Sequence, residues 1–187
     1  MDSKKSSISK TALLDLVFIA MFTALISVCS QISIPLVPVP FTLQTMAVYI
    51  TAAMLGWKRG TISILLYLLI GLIGVPVFAG FSGGFASVVS PAFGYIIGFI
   101  LTIIVVGLST KFFGYKSIPL IVSMVIGTFL CYAVGTIWFM VVYNLTGQYI
   151  DLGLALSWCV VPFIIPDMAK IVVATILVNR LGKIVKL

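Results

Sequence analysis

The chain has 187 residues, of which 62% are hydrophobic and 8% charged, with a formal net charge of +7 and a mean hydropathy of +1.31. About a quarter of the residues of a soluble domain are charged, so this composition excludes a soluble globular protein and predicts an all-α integral membrane protein, a single domain over 1–187. With no His, no Glu and only Asp2, Asp15, Asp151 and Asp167 as acids, it also removes most metal and acid–base chemistry; no metal site, cofactor or catalytic residue is expected.

The first apolar run, about 13–33, follows Lys4, Lys5 and Lys10. Those lysines, with Ile26-Ser27-Val28-Cys29, loosely resemble a lipoprotein signal. Val28 stands where a small residue belongs and the run is long enough to span by itself, so it is expected to remain as a helix. The next connection reads SIPLVPVPFTLQT, and Pro35, Pro38 and Pro40 predict an extended or polyproline-like path leading to Gln44 and Thr45. Runs at about 43–57 and 61–76 follow, joined by Lys58 and Arg59. At about 15 residues each they reach only about 22 Å, short of a core about 30 Å thick.

The second outer connection, GVPVFAGFSGGFASVVSP, is rich in Gly and aromatic residues. Runs at about 93–110 and 118–143 follow, with Lys111 and Lys116 between them. A third connection extends from Asn144 to about Trp158, and the sixth run, about 160–181, ends among Arg180, Lys183 and Lys186. Cys29, Cys131 and Cys159 lack metal-ligand or disulfide spacing and are read as small hydrophobes.

Ten of the eleven basic residues fall at the termini or in the even connections, and the odd connections contain none. The positive-inside rule then predicts six transmembrane helices with both termini cytoplasmic. The scattered charge forms no stripe for nucleic acid. Irregular backbone in hydrocarbon leaves polar groups unpaired, so the outer connections must lie outside the membrane or line a cavity. Short or Gly/Pro-interrupted spans point to a binding site.

The eleventh basic residue is Lys170, three positions after Asp167 inside the last run. That spacing puts both on one helix face, about 10 Å and about 15 Å from the outer end of the span. Each charge there costs about 2.5–3.5 kcal/mol on insertion scales, and ionisable residues at such depth are functional by default. The bland alternative, a self-paired staple between helices, is seldom better than apolar packing. Pro162 and Pro166 predict that the helix starts or kinks just above Asp167, placing the carboxylate near a helix N-terminus. A ligand for this site offers an N–H to Asp167 and an acceptor or anion to Lys170, with an apolar body among Phe41, Phe78, Phe85 and Tyr95.

These residues resemble the BioY family, the biotin-binding S components of energy-coupling factor (ECF) vitamin transporters, over nearly the whole chain. The resemblance is carried by PVPFTLQT at Pro38 to Thr45, by Gly74 to Gly80 continuing to Gly83-Gly84, by Gly94-Tyr95 with Gly98-Phe99, and by Pro162-Phe163 followed by Asp167 and Lys170. The chain departs from the family in SPAFGY, Ser90 to Tyr95, where a GPTGGY-like string is usual, and in Ile165-Pro166, where Pro-Gly is usual. The resemblance implies a biotin pocket toward the outer face of a bacterial plasma-membrane protein, with Asp167, Lys170, Gln44 and Thr45 as polar contacts and Gly83 and Gly84 in a closing loop. It also implies a transmembrane coupling protein and two ATPases as partners, with Ala20 and Ala24 on the first helix for that contact, since small residues four apart let membrane helices approach closely.

Three other readings stand beside this one, one of them a structural or assembly role in another membrane complex. A stand-alone proton-coupled carrier would use Asp167, although one acid and one base make a thin relay and no inverted repeat is evident. An intramembrane enzyme has neither a Ser–His dyad nor an HExxH zinc site to work with.

Overall fold

The computed structural model describes residues 10–36 and 38–184; Lys4, Lys5 and Lys186 of the charge pattern lie outside them. Helix α1 covers Lys10–Gln31, α2 Gln44–Leu72, α3 Phe93–Phe113, α4 Ser117–Leu145, α5 Leu152–Cys159 and α6 Val161–Ile184. Five of these, all but α5, are long and apolar enough to cross a membrane, because a span needs roughly 20 apolar helical residues.

The runs expected at 43–57 and 61–76 form the single element α2, interrupted at Gly56, whose backbone is non-helical (φ 71, ψ 178). A methyl group on Gly60 would lie 3.6 Å from the Thr51 carbonyl oxygen, a pair that a straight helix would hold about 13 Å apart. The element is therefore folded back on itself, with arms at 44–55 and 57–72. Only a residue without Cβ enters such a left-handed turn cheaply. Lys58 and Arg59 sit beside the fold, and Arg59 Nη2 meets Asp15 Oδ1 of α1 at 2.9 Å.

The first outer connection is not simply extended. Strands β1 (Ser33–Ile34) and β2 (Phe41–Thr42) pair antiparallel, Ser33 opposite Thr42 and Ile34 opposite Phe41. The prolines lie in the loop between the strands, where their missing N–H costs no ladder bond. In the third connection, expected to be irregular, α5 forms; Asp151 caps it by accepting from the Gly153 N–H at 3.0 Å, the usual role of Asp at that position.

Helix α6 also departs from expectation. It begins at Val161 and runs through Pro166 without a break, so Asp167 lies in the second turn rather than at a helix N-terminus. Pro162 occupies the first turn, where an N–H has no intrahelical partner to lose. Helices α3 and α4 approach closely at small residues: a methyl on Gly98 would lie 2.8 Å from Cys131 Cα, and one on Gly127 2.9 Å from the Thr102 side chain. Such contact is the main source of attraction between helices in lipid, where apolar burial gives no drive.

Candidate functional site

A cavity of about 450 Å³ is lined by residues of α2 to α6 and of the connections before α2 and α3, within the size range of small-molecule sites. One end of it is polar. From α6, Asp167 and Lys170 line it and are 2% and 6% exposed. Lys170 Nζ donates to Asp167 Oδ1 at 2.8 Å and to Thr45 Oγ1 at 2.9 Å. The Thr45 hydroxyl in turn donates to Asp167 Oδ1 at 3.3 Å. Tyr132, from α4, donates its hydroxyl to Asp167 Oδ2 at 2.5 Å. Two opposite charges brought this close, with further hydrogen bonds closing their valences, can stand in a low-dielectric interior where either alone would be prohibitive.

The pair is thus joined, as the staple reading requires, but beside an open cavity rather than a filled interior. Its protein partners leave part of the hydrogen-bonding capacity of Asp167 Oδ2 unused, since a carboxylate oxygen accepts two bonds. Gln44, in the first turn of α2, is 4% exposed and lines the same cavity, and its Nε2 has no hydrogen-bond partner. A buried amide donor without a partner costs about 1–3 kcal/mol, so a ligand acceptor that meets it recovers a cost already present in the protein.

The expected site residues fall into two groups. Gln44, Thr45, Phe78, Gly83, Tyr95, Asp167 and Lys170 all line the cavity. Phe41 is not among the lining residues; its ring covers the Lys170 ammonium at 3.9 Å to the centroid and stacks on Phe163 at 6.3 Å. Gly84 turns the loop with φ 88, outside the lining. Phe85 points away and is 78% exposed, so an aromatic wall is not its part. On α1, Ala20 and Ala24 are both exposed.

Sequence reasoning missed Tyr132, Phe93, Phe99 and Phe163 in the lining, and took Cys131 and Cys159 as packing residues, whereas both border the cavity with free thiols. One signal for Tyr132 was available: a phenol in the middle of a long apolar run needs a hydrogen-bond partner.

Membrane-crossing helices around a ligand-sized cavity with a charged end define a membrane-embedded small-molecule-binding protein. The BioY family model matches residues 2–187. The chain belongs to the BioY family. It is 42% identical over 167 residues to the biotin transporter BioY of Thermotoga maritima, covering 87% of this chain and 92% of that one. It is 38% identical over 163 residues to the probable biotin transporter BioY of Pyrococcus horikoshii, covering 87% and 93%. Among solved structures, the S-component for biotin from an ECF-type ABC transporter superposes with a TM-score of 0.83 at 30% identity, covering 95% of each chain.

Proposed function

We propose that this chain is the biotin-capturing S component of an ECF-type importer in a bacterial cell membrane. The observation that carries the reading is the cavity whose polar end joins an ion pair, with acceptor capacity left on Asp167, to an unpartnered Gln44 donor. The names of its relatives supply the ligand. Biotin carries both complements: ureido N–H donors, and ureido and carboxylate acceptors.

In this reading Asp167 accepts from a ureido N–H, and Lys170 donates to the ureido oxygen or the carboxylate. Gln44 adds a donor, and Thr45 holds the pair in place. The β1–β2 hairpin and the Gly-rich second connection cover the cavity and exclude water, which strengthens each polar contact. The chain needs no cofactor of its own. It crosses the membrane six times, the two arms of α2 counting separately, with both termini cytoplasmic as the basic residues direct. Ala20 and Ala24 meet a transmembrane coupling protein, and two ATPases drive reorientation of the whole subunit to release biotin inward. A proton-coupled carrier acting alone is disfavoured, because the acid it would titrate is already engaged by Lys170, Thr45 and Tyr132.

Calorimetric titration of the purified protein with biotin tests the assignment. Saturable binding to wild type, lost in Asp167→Asn, is expected. Equal affinity in wild type, Asp167→Asn and Lys170→Ala would overturn the site, and no binding to wild type would overturn the ligand.

A further inference from the structure

The connection between α2 and α3 has two faces. Ala79, Ser82, Gly83, Ala86, Ser87 and Ser90 border the cavity. Between them, four residues apart, Phe81, Phe85 and Val89 point the other way, 72%, 78% and 69% exposed. Ile73, where the connection leaves α2, is 72% exposed and continues the exposed apolar surface of Leu69 on the helix. No charged residue occurs between Arg59 and Lys111. In water this would be an anomalous surface for so long a stretch.

Its depth explains it. The second arm of α2, 57–72, holds sixteen residues and rises about 24 Å from the basic turn at Lys58 and Arg59. Helix α3 rises about 27 Å between Lys111 and its start at Phe93. Both ends of the connection therefore lie just inside the far boundary of a hydrocarbon core about 30 Å thick, and any tilt places them deeper.

Several backbone groups of the connection are bonded to protein rather than left to solvent. The Val77 carbonyl accepts from the hydroxyls of Ser30 and Tyr67. Gln31 Nε2 donates to the Phe78 carbonyl at 3.1 Å, while Gln31 Oε1 accepts from the Phe81 N–H at 2.9 Å. Trp138 Nε1 donates to the Ser90 carbonyl at 3.2 Å, and the Gly84 N–H reaches the Gly71 carbonyl at 2.7 Å. A loop in water has solvent for these groups. One at membrane depth has only protein. Phe81 is also the one non-glycine residue among those described with a positive φ, 56°, a backbone conformation that a bulky side chain adopts at a cost. Here it turns the ring outward, away from the cavity.

We infer that residues 73–90 are seated in the outer leaflet, with Phe81 and Phe85 inserted among lipid acyl chains at the hydrocarbon boundary. Lipid thus backs the thin wall whose opposite face forms the cavity. The inference goes beyond the ligand assignment and is independent of it. Distance to the nearer membrane surface is also the same whichever side the termini face, so a reversed orientation would change the leaflet but not the depth.

Nitroxide labels at Phe81→Cys and Phe85→Cys, in the full chain reconstituted in phosphatidylcholine nanodiscs, test it by collisional relaxation with oxygen and with a neutral nickel chelate. Both native side chains are exposed, so neither substitution disturbs the core. The three native cysteines are buried, so wild type serves as the labelling blank. Tyr149→Cys is the aqueous control, because Tyr149 is 85% exposed beyond the end of α4, a helix about 43 Å long. The expected result is that oxygen relaxes labels 81 and 85 at least threefold more effectively than nickel, with the order inverted at 149. Nickel accessibility at 81 and 85 equal to that at 149 would overturn the inference. So would dipolar broadening between labels, which would assign this face to a second copy of the chain.

Discussion

Tyr132 and Asp167, 35 positions apart, share a hydrogen bond of 2.5 Å, with the phenol of α4 donating to the carboxylate of α6. Lys170 and Thr45 occupy the other carboxylate oxygen, so three elements fix one acid against the cavity. Its remaining acceptor capacity is aimed by protein atoms before any ligand arrives, and preorganisation of this kind lowers the ordering cost of binding.

Removal of the phenol tests that aim. Tyr132→Phe keeps the ring and its packing but frees Asp167 Oδ2. A hydrogen bond to a charged group contributes about 1.5–3 kcal/mol, so biotin affinity should fall by about ten- to a hundredfold in calorimetry. An unchanged Kd would mean that Tyr132 has no part in positioning the acid.

Gln44→Leu should separate binding from stability. The Nε2 donor has no partner in the protein, so its replacement by an apolar group of similar size removes a desolvation cost. Thermal stability without ligand should be equal or higher, while biotin affinity should drop at least about tenfold. A loss of stability with unchanged affinity would reverse the assignment.

Asp167 and Lys170 should show strong energetic coupling. Each of Asp167→Asn and Lys170→Met leaves part of a buried, joined cluster unmatched, a change costing about 3–5 kcal/mol when one partner of a buried pair is lost. The double variant, which leaves neither charge, should cost clearly less than the sum of the singles in denaturant unfolding. Additive losses would show that the 2.8 Å contact carries no net interaction.

Ala20→Leu with Ala24→Leu should leave biotin binding intact and abolish co-purification with the coupling protein proposed above. Both residues are exposed on α1 and neither borders the cavity, while bulky side chains there keep a partner backbone at a distance. Normal co-purification would move the contact to another face of the chain.

Composition alone determined that this is a helical membrane protein, because a chain this apolar with so few charges has no soluble solution. Charge placement alone supplied a topology, since the rule depends on where Lys and Arg fall and not on packing. Spacing put Asp167 and Lys170 on one face, a local property of three residues on a helix. The ion pair observed at 2.8 Å follows from that spacing, and Gln44 and Thr45 were legible through the proline-rich string that precedes them.

Tertiary structure decided what that pair is joined to. Tyr132 reaches Asp167 because α4 packs beside α6, and the Phe41 ring meets Lys170 because β1 and β2 pair across three prolines. The unbroken course of α6 through Pro166 and the outward turn of Phe85 were likewise absent from the hydropathy pattern, whereas the turn at Gly56 was already marked by the basic pair between two apolar runs. Apolar residues face lipid and protein alike in this chain, so hydropathy carries no signal of which face meets a helix, a cavity or an acyl chain. Only the packed arrangement, with its backbone and side-chain hydrogen bonds closed away from water, makes that choice.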